Sequence, residues 1–394
     1  MDKVNLICLD SEGGHGGSSK SLLIALKEIN QKYFNISVIC KKKSWVENEY
    51  NKNKINCEIA TDMPTFTSLD KLSRNLYSFL YFSLIIWPLA FRFRRKIKKY
   101  LVSANIVHFN HVNQFLIAFW IKKKFPKIKI TMHIRTMPYA NFFSHLQLKI
   151  SQQLVDKFIC ITENEYEHFM SILKHTNIEK NIIFNSIEEI KINKKKYSFL
   201  KKHKSLLVGS YSNFSFYRGT DRVILLASKI PKEKLKKILF VIVGETKITK
   251  GDRVRSKNLS GCSNLEEYAD KLGVKDSFVF LGHISNVEEV LINTNITLKL
   301  SRENNPWGRD IIESMFYKIP VISIGKYEGF IKNEFSGFLL KSFDLEKLVE
   351  IILEILANKN KINTMGYNAR KIVCKKCDVK KNAFLLEKLW KKML

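Results

Sequence analysis

The chain has 394 residues, enough for two domains with a core each, and its apolar content of 45% is ordinary for a globular protein. The formal net charge is +30, much of it from lysines spread along the whole length. No zinc-finger spacing, basic zipper or aromatic RNA-recognition signature accompanies that charge, so nucleic acid is set aside, leaving an anionic membrane surface or a phosphorylated substrate. Seven dispersed cysteines, an odd number, argue against a disulfide framework and fit a reducing cytosol.

The first residues run straight into an apolar strand pattern, so no leader peptide is expected. Strand patterns occur at Val4–Leu9, Ile36–Cys40, Ile106–Phe109, Ile128–His133, Phe158–Thr162 and Ile182–Phe184, alternating with helical periodicity. That alternation predicts a parallel sheet covered by helices. After the first strand comes Ser11-Glu-Gly-Gly-His-Gly-Gly-Ser-Ser19. Its Gly14, Gly16 and Gly17 would let backbone N–H groups approach a phosphate at a helix start. The loop is neither a Walker A sequence nor a clean dinucleotide fingerprint, and a purely structural turn is the competing reading.

Phe79 to Phe91 is strongly apolar and is followed by Arg92, Arg94, Arg95, Lys96, Lys98 and Lys99. It is too short to span a bilayer. Two readings stay open: a helix lying on an anionic membrane through Phe79–Lys99, or a core helix with an exposed basic end. His133 and Arg135 close a strand, where a ligand would meet them. A charged, core-poor stretch from Glu188 to Lys204 marks a domain boundary.

The second half repeats the alternation, with strands at Leu206–Tyr211, Leu239–Gly244, Phe278–Leu281, Ile296–Leu300 and Pro320–Ile324. Tyr217-Arg-Gly-Thr-Asp-Arg222 opens a helix, and Arg218 could pair bidentately with a diphosphate. In Asn305-Pro-Trp-Gly-Arg-Asp-Ile-Ile-Glu313, Asn305 reads as an N-cap, Pro306 as the first helical residue, and Gly308 as a point of close backbone approach. A fully helical segment would set Asn305 and Glu313 roughly 12 Å apart, the reach of a sugar joined through a diphosphate to a ribose. The tail after Asp378 reads as a helix, with Ala383, Leu385, Leu386, Leu389 and Trp390 at helical spacing. No Asp-x-Asp pair occurs, and Cys374 and Cys377 stand without further ligands, so no metal is expected.

In this order the motifs resemble family 4 of the glycosyltransferases, over nearly the whole chain. The resemblance rests on the Gly-rich loop, His133, Thr162-Glu-Asn164, Asn185-Ser-Ile187, Arg218-Gly219, Val243-Gly244, Phe280-Leu-Gly-His-Ile284, the Asn305–Glu313 segment and Phe335-Ser-Gly-Phe-Leu339. It implies the GT-B fold, α/β, with two doubly wound Rossmann-like domains facing across a cleft. The expected division is an acceptor-binding domain over residues 1–190, a nucleotide-sugar domain over 203–375, and a C-terminal helix over 376–394 open to crossing back to the first domain. The implied activity is retaining transfer of a sugar from a nucleotide-diphosphate sugar to a hydroxyl of a glycan or lipid-linked acceptor, in bacterial surface polysaccharide synthesis. The expected location is cytoplasmic, peripheral on the inner face of the membrane, with no cofactor beyond the co-substrate.

Carried over residue by residue, the resemblance assigns catalytic roles to His133, Arg218 and Glu313. It assigns donor contacts to Gly14, Gly16, Gly17, Arg222, Gly244, His283, Ile284, Glu303, Asn305, Pro306, Trp307, Gly308 and Arg309, and an acceptor-side role to Arg135. Three departures stand out: Asn305 where the family has Glu, Gly329 where many members have Glu, and Ser210 where an Arg often holds the diphosphate. The first departure supports the alternative reading, a non-catalytic donor-binding partner of a glycan-assembly complex.

Overall fold

The computed structural model describes residues 3–14, 16–66, 75–174, 178–201, 205–303 and 305–394. The chain divides into two compact units: Met1–Glu188 with Asp378–Leu394, and Glu189–Cys377.

The first unit is built on a parallel sheet of β1 (Val4–Asp10), β2 (Phe34–Cys40), β3 (Asn56–Ile59), β4 (Ile106–Phe109), β5 (Lys129–Ile134) and β6 (Lys157–Cys160). Their order is β3-β2-β1-β4-β5-β6, the doubly wound arrangement. Side chains of β1 alternate between two cores. Ile7 and Leu9 join one with Phe93, Phe109 and Met132, while Leu6 and Cys8 join the other with Leu22, Val38 and Trp390. Burial on both faces explains why these strands read as continuous apolar runs.

The second unit repeats the plan with β7 (Leu206–Tyr211), β8 (Ile238–Val243), β9 (Phe278–Phe280), β10 (Ile296–Lys299), β11 (Val321–Ile324) and β12 (Gly337–Leu340), ordered β12-β11-β10-β7-β8-β9. Each sheet reverses its winding once, between β1 and β4 and between β7 and β10. Loops leaving the C-terminal ends of those strands splay apart and leave room for a ligand.

Three sequence expectations need correcting. Ile182–Phe184 is not a strand: only Ile182 bridges to Cys160, and the Phe184 carbonyl turns to the Asn382 side chain at 3.0 Å. The edge strands β3 and β12 were not expected: β3 (NCEI) carries little apolar alternation, and β12 (GFLL) opens on a glycine. The helix expected to begin around Pro306 begins instead at Arg309, with Gly308 at its N-cap.

The Val379–Lys391 helix is capped by Asp378, whose carboxylate accepts from the Lys381 N–H at 2.7 Å. It buries Ala383, Leu386 and Trp390 with the Gly17–Lys27 helix in the first unit. Trp390 is fully buried, edge-on to Phe34 at 5.8 Å. Trp390→Ala should therefore lower unfolding free energy by about 3–5 kcal/mol, read as a fall in urea midpoint for the unit it seals.

Candidate functional site

In the first unit the polar groups at the winding reversal are buried and knit together by one guanidinium. Arg135 Nε donates to Asn110 Oδ1 at 2.6 Å, Nη1 to Asn185 Oδ1 at 2.7 Å, and Nη2 to His133 Nδ1 at 3.3 Å. Asn110 in turn donates to Asp10 Oδ1 at 3.2 Å, and the other Asp10 oxygen is buried without a protein partner. Arg135, read from sequence as facing the acceptor, is thus committed to holding the loops after β4 and β5 and the Asn185 turn. A half-buried guanidinium is stabilised by such acceptors.

The same contact fixes the tautomer of His133, because a guanidinium can only donate and His133 Nδ1 must accept. His108 Nε2, 3.0 Å from that atom, is then protonated, and His108 Nδ1 accepts from the Thr131 hydroxyl at 2.8 Å. Trp390 Nε1 donates to Thr131 Oγ1 at 3.3 Å, closing the chain. His133 therefore carries its proton on Nε2. Burial, then the Arg135 charge, push its pKa well below the ordinary histidine value, and His108 falls from 6.5 to about 3 for the same reasons in the same order. Both rings are neutral at pH 7, and His133 offers a donor, not a base.

The Gly-rich loop is occupied from within the chain. Gly14 lies against Ser44 and Val46, and a Cβ on Gly16 would collide with the Glu12 carboxylate. Ser18 Oγ donates to that carboxylate, and His111 Nε2 lies 3.1 Å from Ser18 Oγ. Gly17 opens the helix and is exposed. The Glu12 carboxylate thus lies against Gly16 and Ser18 at the start of the helix.

In the second unit, the segment from Glu303 to Glu313 is held by Lys299. Its Nζ donates to the Trp307 carbonyl at 2.8 Å and to Asp310 Oδ1 at 3.0 Å. Gly308 abuts this pair, and Pro306 rests on Gly325. Trp307 is buried and stacks on Phe330 at 6.2 Å. Asn305 does not cap the helix: it is half-buried and its Oδ1 has no protein partner. Glu303 is exposed. Glu313 is buried and accepts from Arg309 Nε and Nη2, both at 2.8 Å, one helical turn away.

The loop after β7 is clamped to the same segment. Arg302 pairs bidentately with Asp221, Nη1 to Oδ1 at 2.8 Å and Nη2 to Oδ2 at 2.6 Å, and lies over the Phe216 ring at 4.0 Å. Gly219, at φ 72°, lets the loop touch the Leu300 carbonyl, where any side chain would clash. Arg222 Nη1 donates to the Leu300 and Ser301 carbonyls at 3.2 and 3.1 Å, and burial followed by Arg302 lowers its pKa to about 10. Its Nη1 is thus engaged with backbone, and the guanidinium lies over the Phe343 ring at 4.3 Å. Arg218 is exposed, with no side-chain partner among the described residues. Beside it, the buried Thr220 Oγ1 at the helix start also lacks a protein partner. Gly244 N donates to Gly282 O at 2.7 Å, which brings exposed His283 and half-buried Ile284 to the same strand-end edge.

Sequence reasoning missed Asp10, Glu12, His108, Asn110, Lys299 and Arg302. Most are polar residues in or just after a strand, a position that a search for apolar runs passes over.

Residues 191–372 match the family model described as glycosyl transferases group 1. That match spans nearly all of the second unit. In keeping with this, the chain is 25% identical over 182 residues to N-acetyl-alpha-D-glucosaminyl L-malate synthase of Bacillus anthracis, an alignment covering 46% of this chain and 43% of that protein. The chain thus spans less than half the length of that curated relative. Among solved structures, Anabaena Alr3699/HepE in complex with UDP and glucose superimposes with a TM-score of 0.78 at 16% identity, covering 99% of this chain and 100% of that one. Sucrose-phosphate synthase from Thermosynechococcus elongatus gives 0.72 at 15% identity, covering 99% of each. These likenesses establish the fold as GT-B, with two Rossmann-like units.

The histidine pair carries a pH signature. The folded chain keeps His108 neutral down to about pH 3, whereas the unfolded chain protonates it below 6.5. Its stabilising contribution is complete above about pH 6.5 and is lost as pH falls toward 3. Urea unfolding at pH 7 and pH 5 should show about 2 kcal/mol of this loss from His108, and His108→Gln should flatten that part of the profile.

Proposed function

We propose that the protein is a retaining glycosyltransferase that moves a sugar from a nucleotide-diphosphate sugar to a hydroxyl of a glycan or lipid-linked acceptor, in bacterial cell-surface polysaccharide synthesis. The observation that carries this reading is the contrast among the cations at the second unit's strand ends. Lys299, Arg302 and Arg222 are tied to the protein, and Arg218 beside the Thr220 helix start is not. A free planar fork at a helix start suits a diphosphate. The complex of HepE with UDP and glucose supports the choice of nucleotide sugar.

In this reading Arg218 faces the diphosphate, and Glu313, aimed by Arg309, accepts hydrogen bonds from the ribose. Asn305 presents its unpartnered Oδ1 to the sugar hydroxyls in place of the family's Glu. As the glycosidic bond breaks, the sugar becomes oxocarbenium-like and negative charge gathers on the departing phosphate, where Arg218 stabilises it. His133, neutral and protonated on Nε2, gives a hydrogen bond and takes no proton. The acceptor hydroxyl's proton then passes to a phosphate oxygen of the leaving group, so retention needs no protein base.

A panel of nucleotide sugars scored by thermal shift identifies the donor, because a true ligand raises the melting temperature by mass action. With that donor, Arg218→Ala should cost roughly 2–4 kcal/mol of transition-state stabilisation, a few hundredfold in kcat/KM. The melting temperature without nucleotide should stay unchanged, since the side chain is exposed and unpartnered. Near-normal turnover in Arg218→Ala would remove the diphosphate assignment. Nucleoside diphosphate binding without transfer or slow hydrolysis would replace the enzyme by a non-catalytic donor-binding partner.

A further inference from the structure

The apolar segment after Asn75 resolves into one inward and one outward face. Leu76–Tyr81, Phe82–Ile86 and Trp87–Leu89 run on as helical pieces, the middle one a π-helix, and no charged residue occurs from Asn75 to Phe91. Phe79, Phe82 and Ile86 pack inward on Phe66 and Phe115. The opposite face repeats every four residues as Leu76, Leu80 and Leu84, and as Tyr77, Tyr81, Ile85 and Leu89. Leu84 and Leu89 are each 65% exposed. Ring contacts from Phe79 to Phe143 and on to Phe142, which is 68% exposed, extend the patch onto a second helix. Patches of this kind on soluble proteins mark interaction sites.

The next helix, Phe91–Leu101, turns by 63° from the first. It buries Phe93, Ile97 and Leu101 and presents a basic face with no acidic residue. Some of its cations are already used: Lys96 and Lys99 pair with Glu58 at 2.9 and 3.1 Å, and Arg94 lies over Trp87 at 4.5 Å. Arg92, Arg95 and Lys98 are exposed and lack an acidic partner among the described residues. A naked apolar face thus adjoins three unneutralised cations.

We propose that this bent helical pair docks the first unit on an anionic lipid bilayer. The Leu84–Leu89 face lies in the boundary between headgroups and acyl chains, and Arg92, Arg95 and Lys98 sit at the level of the lipid phosphates. Charge selects this occupant. A second copy of the chain would bring the same unpaired cations against each other, on a protein of net charge +30, whereas anionic headgroups over hydrocarbon answer both halves of the surface. The pair lies on the membrane and does not cross it. No single helix among the described residues is long and apolar enough to span; the pair reaches that length and composition only across its 63° bend, and Leu76 to Leu89 covers only about 20 Å of a core about 30 Å thick. The proposal deepens the lipid-linked acceptor reading and rests on it only for the acceptor's whereabouts; the docking itself does not depend on sugar transfer.

The test is flotation of the full chain with equimolar phosphatidylglycerol and phosphatidylcholine vesicles, against pure phosphatidylcholine, at low and physiological salt. The wild-type chain should float with the anionic vesicles only. Reversing the charges together (Arg92→Glu, Arg95→Glu, Lys98→Glu) should weaken binding by roughly a hundredfold or more. Leu84→Ser with Leu89→Ser should weaken it by about tenfold. These positions are exposed, so the melting temperature and its shift on adding UDP should match the wild type. No flotation at low salt, or variants that float like the wild type, would overturn the proposal. So would a lipid-independent dimer, seen by sedimentation, that the leucine substitutions abolish. If flotation holds while no nucleotide shifts the melting temperature, docking stands and the transferase reading fails.

Discussion

A guanidinium partly withdrawn from water must find acceptors for its fork of N–H groups, and each unit meets this demand at the edge where its sheet reverses winding. In the first unit Arg135 gathers Asn110, Asn185 and His133; in the second Arg302 takes both oxygens of Asp221 and the face of Phe216. Loops leaving neighbouring strands have no reason of their own to keep a fixed spacing, and these arginines supply one. Everything argued about tautomer, free charge and ligand approach follows from the loops being held. Removing either guanidinium would leave several buried acceptors unpaired together, a larger penalty than the loss of one surface ion pair.

The two arginines also divide labour with Arg218 and His133. Arg302 and Lys299 are paired with Asp221 and Asp310, whereas Arg218 has no acidic partner among the described residues. Because Arg135 donates to Nδ1, the proton of His133 is directed to Nε2. There a saturated group fixes the chemical state of its neighbour.

Much of the architecture was legible because burial on both sheet faces makes a central strand a run of Val, Ile, Leu and Phe, as in Val4–Leu9 and Leu239–Val243. Edge strands β3 and β12 carry no such constraint and left little trace. The residues of the Asn305–Glu313 segment were legible as a unit through their turn chemistry, but not its helix boundary. Gly308, at φ 152°, sets the boundary as the N-cap, and the Lys299 contact to the Trp307 carbonyl comes from eight residues upstream with no local sign of it. The polar web around Arg135 was illegible for a similar reason, since Asp10, Asn110, Arg135 and Asn185 lie far apart in sequence and meet only through the strand order. The outward stripe from Leu76 to Leu89 was visible as hydrophobicity, yet whether it faced core or solvent depended on where Phe66 and Phe115 fell.

The return of the last helix to the first unit has a consequence for how the polypeptide is made. When synthesis has passed Glu188, one side of the first sheet still lacks Ala383, Leu386 and Trp390, and the hydroxyl of Thr131 lacks its indole donor. The unit begun first is completed last, after the whole of Glu189–Cys377 has emerged. The second unit holds its full complement of residues earlier, and the histidine pair is sealed only when Val379–Lys391 returns to the first unit.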